Sequence, residues 1–129
     1  MTTIEDLVAV DAFLASDGKT LSGPQPEWAY NPGYGDYQLT WPIEDSGRIR
    51  SKLKFRIPAD DPEYPSISIL FRNRIVTRID RVRDSECEPN PPYAHRFGLP
   101  ARVCGTHVHK WTHNRLHVER TGVWEAPAR

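Results

Sequence analysis

The spacing of apolar positions along the chain marks its elements. Ile4, Leu7, Val8, Phe13 and Leu14 fall near a 3.6-residue period. Thr2-Thr3-Ile4-Glu5 has the spacing of a capping box and Asp17-Gly18 supplies a stop, so one amphipathic helix is predicted over about residues 3–16. Pro24, Pro26, Pro32, Gly23, Gly33 and Gly35 surround Trp28, Tyr30 and Tyr34, which makes residues 19–35 an aromatic-anchored loop. Tyr37, Leu39 and Trp41 then alternate with Gln38 and Thr40 as a short strand ending at Pro42, and Glu44-Asp45-Ser46-Gly47 forms a turn.

From 48 to 57 the alternation is nearly strict. Ile49, Ser51, Leu53, Phe55 and Ile57 take one side, and Arg48, Arg50, Lys52, Lys54 and Arg56 the other. A proline-rich loop follows, and then a hairpin: Ile67, Ile69 and Phe71 on its first strand, a tight turn at Asn73-Arg74, and a second strand from Ile75 to Val82. Residues 84–102 form a second irregular stretch. A strand through Val103–His113, a turn at Asn114-Arg115 and a short final strand at Leu116 and Val118 close the chain, with Trp124 anchoring the tail. The pattern predicts a single α+β domain over 1–129. In it an N-terminal helix packs on an antiparallel sheet of about five strands with long Pro-rich loops.

Composition supports a packed core, with 38% apolar and 26% charged residues. The formal net charge of zero conceals a partition: residues 1–47 carry one basic and eight acidic groups, residues 48–83 ten basic and four acidic. The basic middle segment suits a phosphate-bearing partner, and neutrality overall does not exclude RNA. No basic stretch followed by an apolar run opens the chain and no window reaches membrane-span length, so a cytoplasmic protein without a membrane partner is expected, with Cys87 and Cys104 as reduced thiols; a disulfide between them is expected only if the chain is exported.

The candidate chemistry concentrates in Val103–His113. On a strand, His107, His109, Trp111 and His113 would share one face. Two histidines at His-x-His spacing stand about 6–7 Å apart at Cβ, which permits two chemistries. They can converge on a metal ion, with Asp80, His95, His113, Cys104 or Cys87 as further candidates and Asp80 completing a His107–His109 set. Alternatively they can serve, with no cofactor, as general acid and base in RNA cleavage. In that reading Arg78 clamps the phosphate and Asp80 fixes an imidazole. Arg48, Arg50, Lys52, Lys54, Arg56, Arg96 and Lys110 hold the strand, and Trp111 or Tyr93 stacks a base. A third reading is a non-catalytic inhibitor that docks the 48–56 stripe on an anionic partner. Ordinary explanations compete throughout: Trp111 as core, Arg78–Asp80 as an ion pair, the stripe as a solvated face.

Arg78-Ile79-Asp80, a proline-rich loop with His95, and Gly105-Thr106-His107-Val108-His109-Lys110-Trp111, taken in that order, resemble the TumE-like toxins of bacterial toxin–antitoxin pairs and related uncharacterised families. The resemblance covers roughly the last half of the chain. It implies a compact helix-plus-antiparallel-sheet domain that cleaves cellular RNA and is neutralised by an antitoxin protein, with Arg78, Asp80, His95, His107 and His109 as the functional positions. The loop between Asp80 and His107 is longer here than in that pattern, and Arg81 stands where an asparagine is usual.

Overall fold

The computed structural model describes residues 4–90, 92–121 and 124. Helix α1 spans Ile4–Ala15 and buries Leu7, Val10 and Phe13, three residues spaced to share one face. Ile4 and Val8, expected on that face, are exposed instead, and Thr2 and Thr3 of the capping box lie outside the described residues. Strands β1 (Lys19–Leu21) and β2 (Ala29–Asn31) are short segments within the proline-rich region. They are followed by β3 (Asp36–Asp45), β4 (Arg48–Pro58), β5 (Ser66–Phe71) and β6 (Arg74–Asp80). Beyond these come β7 (Cys87–Pro89), a 3-10 turn at Pro92–Phe97, β8 (Arg102–Cys104), β9 (His107–His109) and helix α2 (Trp111–Thr121). The class is α+β, with one seven-stranded antiparallel sheet of order β1-β3-β4-β5-β6-β9, β2 also pairing β3, and a separate β7–β8 ribbon.

Strand β3 runs through Pro42 rather than stopping there. The Pro42 carbonyl accepts the Ser22 amide at 2.8 Å, and a strand residue's two backbone groups point to the same edge. The amide that proline lacks is therefore missing on the β1–β2 side, and the β3–β4 ladder stays whole. Two-residue turns with positive φ join the hairpins: Ser46 (53°) and Gly47 (80°), then Arg72 (50°) and Asn73 (66°). The second turn sits one residue before the expected Asn73-Arg74.

Register assigns the two faces of the sheet. Gln38, Arg56, Ser66, Asp80 and His107 form one row across β3, β4, β5, β6 and β9, and Thr40, Lys54, Ser68, Arg78 and His109 form the next. Directly paired residues share a face and so do positions two apart, so these ten polar side chains line one surface. The opposite surface carries Leu53, Ile69 and Phe71. There α1 and α2 pack, with Leu7, Val10, Phe13, Ile43, Phe71, Val76, Trp111 and Val118 as the buried cluster. Each fully buried large apolar side chain contributes about 1.5–3 kcal/mol. Asp11 locks the helices together by accepting from Trp111 Nε1 (2.7 Å) and Arg115 Nε (2.9 Å).

A bulge corrects the five-residue basic stripe. Ile43 pairs Ser51 but Glu44 pairs Ile49, which leaves Arg50 as an extra residue that reverses the alternation before it. Arg48 thus falls on the helix face, opposite Asp45. Arg50 reaches Asp45 (3.9 Å) and lies over the Phe71 ring (5.3 Å to the ring centre). Lys52, Lys54 and Arg56 remain in phase on the polar face. The acidic first third supplies counter-charges to the basic middle segment: Asp36 to Arg56, Asp45 to Arg50, Asp6 to Arg72.

The expected long histidine strand is only three residues. Trp111, Asn114 and Val118 are buried at i, i+3 and i+7, a helical spacing that turns 111–121 into α2 and removes the final strand. The expectation of free thiols is also corrected: Cys87 and Cys104 face each other across β7–β8, 4.0 Å apart at Cα, and form a disulfide. The expectation of thiols rested on a reducing compartment, and the β7–β8 register instead sets the two cysteines opposite each other. Among the described residues, no helix is long and apolar enough to cross a membrane.

Candidate functional site

β6 and β9 build the site because their register places Asp80 opposite His107 and Arg78 opposite His109. The short β9 is held in place partly by Thr77 Oγ1, which donates to the His109 carbonyl at 3.0 Å. Asp80 Oδ2 is the hub. It accepts from Arg78 Nε at 3.0 Å and contacts His109 Nε2 at 3.1 Å, and His107 Nε2 lies 3.4 Å away. Arg78 Nη2 in turn sits 3.1 Å from His109 Nε2. The imidazole ring centres are 5.0 Å apart. Both Nε2 atoms therefore address the same carboxylate oxygen and do not stand on opposite sides of an open gap.

Gly105 orients His107. Its φ of +77° is a left-handed conformation that favours glycine, and a Cβ there would come within 3.3 Å of Asp84 Oδ1. The bend brings the Gly105 carbonyl to 2.9 Å from His107 Nδ1. A carbonyl only accepts, so Nδ1 carries a proton, and in the neutral tautomer that this fixes the Nε2 lone pair faces Asp80. That Nε2 atom is buried and has no hydrogen-bond partner among the described residues.

Burial alone would raise the pKa of Asp80. The hydrogen bond from His109 and the charges of Arg78, His109 and His107 outweigh it and hold the carboxyl below the ordinary aspartate value. The carboxylate is thus the stable form.

Arg78 and Asp80 open onto a groove of about 300 Å³ lined also by Asp36, Arg56, Tyr64, Ser66 and Arg81. His109 is fully buried and the His107 side chain is 6% exposed, against 27% for Arg78. The histidines lie behind the Arg78–Asp80 wall. Asp36 and Arg56 at the groove's far side form a two-bond pair, through Nε (2.8 Å) and Nη2 (2.7 Å). Lys52 and Lys54 form no ion pair among the described residues, and Lys54 stands in the same row as Arg78 and His109.

The other expected positions are placed elsewhere. His95 is exposed on the 3-10 turn and is not among the side chains gathered around Asp80. His113 lies on α2, and the cysteines are bonded to one another. Trp111 is a core residue, bonded to Asp11 and stacked on Trp124 at 5.7 Å, so it offers no face to a base. Lys110 is exposed at the start of α2, and the Tyr93 side chain lies outside the described ones. Gly105 and its carbonyl were missed in the sequence reading. The signal was a glycine two residues before a histidine at the end of a loop.

Comparison with protein-family models, with curated proteins and with solved structures finds no match to this chain.

Proposed function

We propose that this chain is a toxin-like endoribonuclease whose centre is Arg78, Asp80, His107 and His109, acting without a cofactor. One observation carries the reading: four chemically capable side chains from two strands converge on the sheet face that also bears Lys52, Lys54 and Arg56, with Arg78, Asp80 and His109 in hydrogen-bonding contact and His107 Nε2 3.4 Å from Asp80 Oδ2. RNA lies along that face, its phosphates drawn by the lysines. An incoming phosphate takes Arg78 from Asp80 and His109 and has to enter between the two imidazoles, which share one carboxylate oxygen in the unbound centre. Because Arg78 stands between the groove and His109, the same movement uncovers the imidazole.

His107, its lone pair fixed on Nε2 by the Gly105 carbonyl, then accepts the 2′-hydroxyl proton. The 2′-oxygen attacks phosphorus, Arg78 stabilises the charge that develops, and the 5′-oxygen leaves with a proton from the His109 imidazolium held by Asp80. A 2′,3′-cyclic phosphate and a 5′-hydroxyl result. An antitoxin partner and action in the cytoplasm belong to this same proposal. The Cys87–Cys104 disulfide is unusual for that compartment.

The test is cleavage of single-stranded RNA by the full chain in chelator, alongside growth inhibition on expression. His107→Ala and His109→Ala variants that remain folded should each lose both activities. Undiminished cleavage by either folded variant refutes the reading. Lys54→Glu should weaken RNA binding and flatten its salt dependence while leaving the centre intact.

A further inference from the structure

Three side chains bring one ligand atom each to a common point. Asp80 Oδ2 is 3.1 Å from His109 Nε2 and 3.4 Å from His107 Nε2, and all three atoms lie within 4.8 Å of one another. Ligands bound tetrahedrally at about 2.0–2.1 Å stand about 3.3 Å apart, so the two edges of this triangle that meet at Asp80 match those of a metal's coordination shell. The His107 ring gives independent support. It donates Nδ1–H to a backbone carbonyl and aims a buried Nε2, without a hydrogen-bond partner among the described residues, at the same point. Metal-bound histidines are commonly oriented in this way. Two imidazole nitrogens and a carboxylate oxygen facing each other at this range are bridged by a ring proton or by another cation. Arg78 now supplies one, through Nε to Asp80 and Nη2 to His109.

We infer that the centre binds a divalent transition ion of the zinc type through Asp80 Oδ2, His107 Nε2 and His109 Nε2, with Arg78 as the competing internal cation, and that loading it switches off cleavage. The switching half rests on the nuclease reading above; the metal site does not. Two imidazoles with one carboxylate select zinc, cobalt, nickel or copper over magnesium and calcium. With both cysteines in the disulfide, no thiol competes for the ion. The bound ion would occupy the lone pair on His107 that otherwise accepts the substrate proton. It would also expel Arg78, whose partly exposed side chain can turn into the groove.

The experiment is calorimetric titration of zinc chloride into the full chain, purified without a histidine tag and stripped with chelator, beside RNA cleavage with and without zinc. One ion per chain is expected. Asp80→Asn and His107→Gln should each weaken binding by more than about 100-fold. Arg78→Gln should tighten it at least about tenfold, because a positive charge beside the ion is removed. His113→Ala and His117→Ala should change nothing; these residues are four apart on α2 and form the obvious adventitious pair. Zinc should also raise the melting temperature of the wild type but not of His107→Gln, a readout that stands even if Asp80→Asn fails to fold.

Absence of zinc binding, or binding lost only in the α2 variants, overturns the metal site and leaves the nuclease reading untouched. Cleavage that requires zinc overturns the switch. Tight zinc binding with no cleavage in either state supports the site and removes the nuclease function.

Discussion

Replacing Asp80 with asparagine keeps the shape of the hub and removes its charge. In the wild type one carboxylate oxygen accepts from Arg78 Nε at 3.0 Å and contacts His109 Nε2 at 3.1 Å. Hydrogen bonds to charged groups contribute about 1.5–3 kcal/mol each, which brackets the pair at about 3–6 kcal/mol. Two features reduce that figure: the amide oxygen still accepts one bond, and Arg78, about a quarter exposed at 27%, recovers solvation. The expected loss is about 2–3 kcal/mol, which corresponds to a melting temperature lower by about 8–12 °C in a domain of this size. Urea unfolding of both proteins at pH 7 in chelator measures it. A loss below about 0.5 kcal/mol would show that Arg78 and the histidines do not depend on this anion. The hub geometry would then carry neither the proposed chemistry nor the proposed ion.

Asp36 tests a second charge. Burial works to raise its pKa, but the Gln38 hydrogen bond and the Arg56 guanidinium prevail and hold it below the ordinary aspartate value. A depressed folded pKa means that its stabilisation is fully present above about pH 4 and is lost as pH falls through the folded value. The stability gap between wild type and Asp36→Asn should therefore close in acid, and a gap unchanged from pH 7 to about pH 2 contradicts the assignment. Gly105→Ala should cost about 1–2 kcal/mol for a left-handed alanine. It should also disturb the His107 tautomer, read by nitrogen NMR; an equally stable variant with Nδ1 still protonated would count against the carbonyl clamp. Opening the Cys87–Cys104 disulfide, which spans 17 residues, should lower stability by about 3 kcal/mol on the loop-closure model, and a loss under about 1 kcal/mol would mean that the ribbon is held by other contacts.

Local patterns settled much of this protein without a structure. The N-terminal helix with Leu7 and Phe13 on its buried face, the alternation of β4 beyond the bulge and the hairpin between β5 and β6 could each be read from a few neighbouring residues, because each depends on short-range geometry, although Ile4 and Val8 proved exposed and the second turn falls one residue earlier than expected. The Arg78–Asp80 and His107–His109 pairs were legible for the same reason: positions two apart on a strand share a face. Register was not legible, since it depends on residues far away in the chain. Only the antiparallel pairing of β6 with β9 sets Asp80 against His107 and Arg78 against His109. Only the bulge at Arg50 takes Arg48 and Arg50 out of the basic row. Trp111 alternated with the histidines as well as any strand residue would, yet burial against α1 and Asp11 made it helical, because tertiary contacts outweigh a weak local preference. The disulfide likewise depended on two distant strands meeting in register. The sequence by itself determined which side chains are chemically capable. The fold decided that four of them meet around one carboxylate oxygen.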